Sequence, residues 1–345
     1  MNVSVSSSGA VLSFGELLLR ICPDAGGEWL NENVLPFYVG GAELNVATAL
    51  ALWDVPSRYF TALPDNDITR QILNSLSAKC IDTSKVHLGG NRMGLYFLTQ
   101  GKDLKHGALV YDRANSSFSA LKPGVINWDN VLEGVSWFHF SAICPAISQA
   151  VADVCLEAVR AASKKGVTVS VDLNYRSKLW QYGVQPSSIM PQLMPYCDVI
   201  MGNVWAAETM LGIVVPPDIH QKGSKKTYLD TALETSRQIV QRYPKCKKVA
   251  NTFRFDSDGT INYYTTLYNG TEFISSNEYN SARVADKVGS GDCFMAGLIY
   301  GFYSQYEIQE TLEFATAAAF DKLFIKSDST NRTVDEIKKV MKHEQ

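Results

Sequence analysis

Asp286-Lys287-Val288-Gly289-Ser290-Gly291-Asp292-Cys293-Phe294-Met295-Ala296-Gly297 sets two glycines around a serine, then an aspartate, then an apolar run. Phe294, Met295, Leu298, Ile299 and Phe302 recur at helical spacing, which predicts a buried helix starting at or just after Asp292. A glycine turn feeding a helix N-terminus offers free backbone N–H groups and the positive end of the helix dipole, a setting that suits a phosphate. A carboxylate at the same point can take a proton from an attacking hydroxyl. Anion cradle plus base is what phosphoryl transfer to an alcohol requires. The same residues also read as a tight turn with Asp292 as a plain N-cap.

Upstream of this stretch, strands and helices alternate. Val135 to Ala142, Val167 to Leu173, Asp198 to Gly202 and Lys248 to Phe253 read as strands, and Ser148 to Lys164 and Tyr228 to Tyr243 as helices. Nearer the N-terminus, Ala10 to Phe14 and Arg58 to Ala62 read as strands, and Ala42 to Trp53 and Ile68 to Lys79 as helices. This alternation implies βαβ units and a mostly parallel sheet covered on both faces. Ligands then gather beyond the carboxyl ends of the strands. That rule brings Asp172-Leu173-Asn174-Tyr175-Arg176, Gly202-Asn203, Thr252-Phe253-Arg254 and the opening stretch to one rim. The regions from about 18 to 39 and from about 93 to 115 are β-rich without helices, and predict a small antiparallel sheet standing off the main body.

Composition narrows the function. Of 345 residues, 46% are hydrophobic and 19% charged, and Lys plus Arg number 32 against 35 for Asp plus Glu, for a net charge of -3. That balance offers no field for a nucleic-acid backbone or an anionic membrane, and favours a small-molecule partner. No apolar run approaches the roughly 18 residues of a membrane helix, and the serine-rich N-terminus lacks the pattern of a signal peptide. Seven scattered cysteines without a C-x-x-C pair read as free thiols in a reducing compartment, hence the cytoplasm.

Two separated motifs carry a resemblance to a known family. Val284 to Tyr300 resembles the C-terminal signature of the ribokinase-like (PfkB) carbohydrate kinases, and Gly40-Gly41-Ala42-Glu43-Leu44-Asn45-Val46-Ala47 resembles the N-terminal one. The likeness runs from Phe14-Gly15-Glu16 to Ser327-Asp328-Ser329-Thr330. It implies an α/β fold: a single three-layer α/β/α domain over 1–345 with a β-lid, ATP and Mg2+ as cofactors, and γ-phosphoryl transfer to a sugar hydroxyl. Gly94-Leu95-Tyr96, Val110-Tyr111-Asp112-Arg113-Ala114 and Asp172 to Trp180 are similar to stretches of the 2-keto-3-deoxygluconate kinases. A sugar acid needs cations for its carboxylate, and arginine holds carboxylates in a bidentate fork. Arg113 and Arg176, with Tyr96 and Tyr111, suit such a substrate, and Arg176 also reads as the partner of a structural carboxylate.

Carried over residue by residue, the resemblance makes Asp292 the base and the N–H groups of Gly289, Ser290, Gly291 and Asp292 the anion hole. It gives Gly40, Gly41 and Asn45 to the sugar, and Asp286 to the sugar or to loop organisation. Asn203, Thr252, Arg254 and Thr316 fall on the nucleotide side. The chain departs from the family in three places: Ala206 stands where a glutamate follows Asn203, leaving Glu208 as the next carboxylate for a metal ion; Arg254 replaces a glycine; Lys287 replaces a threonine. A neutral-sugar or nucleoside kinase is the competing activity, and a non-catalytic sugar-binding homologue a further reading. A nicotinamide enzyme or a P-loop kinase lacks its glycine motif here. An exposed lid edge invites pairing with a second copy, giving a homodimer through the lid.

Overall fold

The computed structural model describes residues 9–23, 29, 33–99, 109–220, 223–257 and 259–342. The chain divides into two compact units, Met1–Leu121 with Ser281–Gln345, and Lys122–Asn280. The first unit opens with β1 (Ala10–Phe14), β2 (Leu18–Ile21), β3 (Phe37–Gly40), α1 (Ala42–Leu52), β4 (Ser57–Phe60), β5 (Ala62–Leu63), α2 (Asp67–Ser77), β6 (Ile81–Asp82), β7 (His87–Leu88), β8 (Gly94–Phe97) and β9 (Val110–Asp112). Here β1, β4 and β6 run parallel as neighbours. Leu17, Leu44, Ala47, Tyr59, Ile72 and Ile81 form one buried core beneath the helices.

A smaller sheet has the order β3-β2-β8-β9. The sequence predicts it as antiparallel. Both hairpin pairs, β2–β3 and β8–β9, are antiparallel, but β2 lies parallel to β8. Between the two hairpins the chain passes through α1, β4 and α2, so no tight turn dictates the direction of strands at their seam. The turn expected at 23–27 and the polar link at 101–103 fall mostly or wholly outside the described residues.

The second unit holds α3 (Trp128–Val131), β10 (Val135–Ser141), α4 (Gln149–Lys164), β11 (Thr168–Asp172), α5 (Pro186–Leu193), β12 (Val199–Gly202), α6 (Val204–Leu211), α7 (Lys225–Arg242), β13 (Lys248–Ser257), β14 (Thr260–Tyr268), β15 (Phe273–Ser275) and β16 (Tyr279–Ser281). Strands β10 to β13 are mutually parallel, and β14 and β15 extend them antiparallel. Near-continuous Val, Ile and Phe in these strands fit burial on both faces. Strand β13 runs four residues past the expected end at Phe253, because β14 pairs with it along its whole length.

The chain returns to the first unit through α8 (Ser290–Tyr303), α9 (Ile308–Lys322) and α10 (Val334–Met341). Helices α8 and α9 pack closely at Gly297, where an added Cβ would stand 2.5 Å from the Ala315 Cα. Of the seven cysteines, all free, only Cys80 is exposed. Among the described residues no helix is long and apolar enough to cross a membrane.

Candidate active site

Gly289 caps α8 in the left-handed conformation, at φ 78 and ψ -2. A Cβ there would stand 1.8 Å from the Asp328 carbonyl oxygen, so glycine alone fits without displacing the neighbouring loop. The helix starts at Ser290, two residues before the position expected from its apolar spacing. Asp292 is therefore not the N-cap but the third residue of the first turn. N–H groups in that turn have no acceptor within the helix, which leaves them and the dipole for an anion. The Ser290 side chain is not part of this surface: its hydroxyl donates to the Ala319 carbonyl at 2.9 Å. Cys293 is packing: its thiol donates to the Ala318 carbonyl at 3.3 Å, and burial pushes it up to about 12, so it stays protonated.

Asp292 is half-buried and accepts a 2.7 Å hydrogen bond from Asn45 Nδ2. Asn45 sits in the first turn of α1, only 5% exposed, and its Oδ1 is buried with no hydrogen-bond partner among the described residues. A solvated helix face is thus not its environment. Gly40 ends β3 against the Asp328 carboxylate, and Gly41 caps α1.

Asp286 lies beneath the turn and is fully buried. One oxygen accepts from Arg20 Nη2 at 2.8 Å and the other from the Val288 N–H at 3.1 Å. These bonds organise the loop. Arg20 also pairs with Asp328, Nε to Oδ1 at 2.9 Å, and its face covers the Tyr38 ring at 4.6 Å. Burial pulls the Arg20 pKa down, but Asp328 and Asp286 outweigh it and hold the guanidinium above its ordinary range. Burial pushes the Asp328 carboxyl up while Arg20 opposes that shift. Tyr96 donates to Asp328 Oδ2 at 2.6 Å and packs near Tyr111, with ring centroids 6.3 Å apart. Burial, then Asp328, drives its phenol well above its usual pKa.

Arg113 is 7% exposed, and its guanidinium fork closes on Glu16. Its charge is thus neutralised inside the protein, where the sequence suggests a cation for the substrate.

The remaining candidates belong to the second unit. Asn203, Thr252 and Arg254 lie at and within the carboxyl-terminal parts of the adjacent parallel strands β12 and β13. Asn203 caps α6, its Oδ1 accepting from the Ala206 N–H at 2.8 Å. The Thr252 hydroxyl donates to the Gly202 carbonyl at 3.4 Å, and Arg254 is half-buried. Arg176 follows β11 and is also half-buried; among the described residues its side chain makes one hydrogen bond, to the Tyr175 carbonyl. Glu208 is half-buried in α6. No three His, Cys, Asp or Glu side chains gather for a metal among the described residues. A Mg2+ held mainly by nucleotide phosphates and water needs no such cage.

Thr316, in the first unit, is fully buried, and its hydroxyl bonds back to Leu312 at 2.7 Å. It has no surface to offer a nucleotide, and its role is helix packing.

Sequence reasoning missed Arg20, Glu16, Asp328 and Lys322. One signal was present for Arg20: it alternates with Leu19 and Ile21 on the core-facing register of β2, where a charge requires partners.

Residues 10–330 match the family described as pfkB family carbohydrate kinase. Over 340 residues the chain is 25% identical to a 2-dehydro-3-deoxygalactonokinase of Haloferax volcanii, covering 96% of both proteins. The crystal structure of 2-dehydro-3-deoxygluconokinase from Thermotoga maritima is similar at TM-score 0.87 and 32% identity, over 97% of this chain and 99% of that one. A fructokinase from Xylella fastidiosa with bound ATP shares the fold at TM-score 0.75 and 18% identity, over 97% and 98%.

Proposed function

Because the chain belongs to the pfkB family of carbohydrate kinases, we propose that it phosphorylates a sugar acid, 2-keto-3-deoxygluconate, at its terminal hydroxyl to give the 6-phosphate. The observation that carries the chemistry is the pairing of Asp292 with the glycine-capped first turn of α8, both held from α1 by Asn45. Asp292 takes the hydroxyl proton as the sugar oxygen attacks. The first-turn N–H groups of α8 hold the charge that develops on the transferring phosphoryl. The new O–P bond forms as the β,γ-bridging bond breaks, and ADP leaves. ATP supplies the phosphoryl group, and a Mg2+ held with the nucleotide would offset its charge. The buried, unpartnered Oδ1 of Asn45 gives a sugar hydroxyl an acceptor.

For substrate choice, the kinases named for keto-deoxy sugars among the relatives support an acid. Arg113 is held by Glu16, so the substrate carboxylate falls to Arg176. Asn203, Thr252 and Arg254 serve the nucleotide. The whole chain acts as one kinase domain, with the smaller sheet as its lid, in the reducing cytoplasm that free thiols suit. An ATP-coupled assay across neutral sugars, nucleosides and aldonic or keto-deoxy acids tests the reading. Arg176→Ala is expected to raise the KM for a keto-deoxy acid at least about 10-fold, with little change for a neutral sugar. Preferred turnover of fructose or ribose by the wild type, or equal KM effects on both classes, removes the acid assignment.

The edge strands of the smaller sheet carry Phe37, 61% exposed, and Val110, 57% exposed. A second copy pairs there in this proposal, and Val110→Asp shifts the molecule to a monomer in light scattering. A wild type that is already monomeric at high concentration rules the pairing out.

A further inference from the structure

We infer that the buried ammonium of Lys322 is a positioning residue for phosphoryl transfer, bracing the Gly289 turn and adding its charge to the anion-binding end of α8. The inference rests on the kinase reading above. Lys322 ends α9, and its side chain is fully buried. Its Cε lies 3.4 Å from where a side-chain carbon on Gly289 would stand, directly against the first residue of the anion-binding turn.

The charges around it are unevenly matched. Asp286 and Asp328 are both engaged by Arg20, at 2.8 and 2.9 Å. They attract Lys322 over a longer distance, while burial pulls its pKa below the ordinary lysine range. The ammonium has three donors, and among the described residues one is used, on the Ile325 carbonyl at 3.2 Å. A buried ammonium so thinly partnered costs several kcal/mol in isolation. Here it stands behind a turn whose N–H groups already favour an anion, so its field is aligned with the helix dipole. Three further contacts tie the end of α9 to the same turn. The Ala285 and Asp286 N–H groups donate to Leu323, and the Ser290 hydroxyl to Ala319. The end of α9 thus delivers the charge and fixes the loop that uses it.

A cavity of about 810 Å³ is lined by Thr48, Ile325, Ser327 and Thr330 among others. It is lined by Ile325, the residue whose carbonyl holds the ammonium.

The test uses the full-length chain. Lys322→Met keeps the aliphatic volume and removes the charge. It is expected to lower kcat about 10- to 100-fold while leaving the sugar KM within about 2-fold, the pattern of an interaction that strengthens in the transition state. Calorimetric binding of inorganic tripolyphosphate, which needs no turnover, is expected to weaken about 10-fold. In Lys322→Ala, methylammonium restores part of kcat, and methanol at equal concentration does not. A folded Met variant with wild-type kcat and wild-type tripolyphosphate affinity overturns the inference. If the Met variant does not fold, the Ala variant decides: no rescue, or equal rescue by methanol, overturns it. If the wild type phosphorylates no sugar, the kinase reading falls, and tripolyphosphate binding still judges the role of the charge.

Discussion

Asp292 has two features that a cap would not need. It sits inside the first turn, not before it, and its carboxylate is oriented by an amide from another helix. A capping aspartate instead folds its side chain onto its own helix's N–H groups, as Asn203 and Ser148 do with α6 and α4. With the N-cap already supplied by Gly289, the cap role is not what holds Asp292 here, and the proposed function gives its carboxylate the role of base. Asp292→Asn preserves size and can keep the contact with Asn45, but it cannot accept a proton. Turnover is expected to fall on the order of 10²- to 10⁴-fold with sugar binding nearly intact, as steady-state kinetics beside calorimetry will report. Full activity in this variant sinks the base assignment. The same scale separates the two arginines. The sequence offers both Arg113 and Arg176 to a substrate carboxylate, yet one is 7% exposed and forked on Glu16 while the other is half-buried, its side chain bonded to a carbonyl.

At the scale of elements, the Gly289 turn joins α8, α9 and the 325–330 loop. Gly289→Ala places a methyl in a left-handed residue and drives it into the Asp328 carbonyl. The clashing atoms belong to the Asp328 backbone, so no flexible side chain can yield to relieve the clash. Stability is expected to drop on the order of 3 kcal/mol, read as a shift in the urea midpoint, with kcat lost even below the new melting temperature. Unchanged stability means that the loop can move aside, and that the turn is not fixed by this contact. The buried Arg20–Asp286–Asp328 set supports the same turn from below. Removing Arg20 leaves two buried carboxylates without their ion-pair partner and costs about 3–5 kcal/mol.

Across the whole molecule, one buried group makes stability depend on pH in a readable way. His139, in β10, is 1% exposed with Nδ1 3.0 Å from the Ser170 hydroxyl, and burial draws its pKa down to about 3. In the unfolded chain the imidazole titrates at about 6.5. Between those values the unfolded state binds the extra proton, so stability is full above about pH 6.5 and declines as pH falls. From pH 7 to pH 5 this residue alone is expected to remove about 2 kcal/mol. Urea unfolding at the two pH values measures it, and His139→Gln should flatten the slope. An identical slope in the variant assigns the acid lability to other groups.

The sequence by itself determined the alternation of strands and helices, because burial period and glycine punctuation are local properties. It also set out Gly289-Ser290-Gly291-Asp292 and Gly40-Gly41 with Asn45 as motifs, because turn chemistry and helix spacing are written in consecutive residues. Tertiary structure alone decided which charges are available. Glu16 neutralises Arg113 across 97 residues, Arg20 reaches Asp286 across 266, and Thr316 turns inward on its own helix. Only the fold put Lys322 against Gly289. The physical reason is that a charge's role depends on its desolvation and its nearest opposite charge. Both are fixed by contacts between residues far apart in the chain, which no local pattern records.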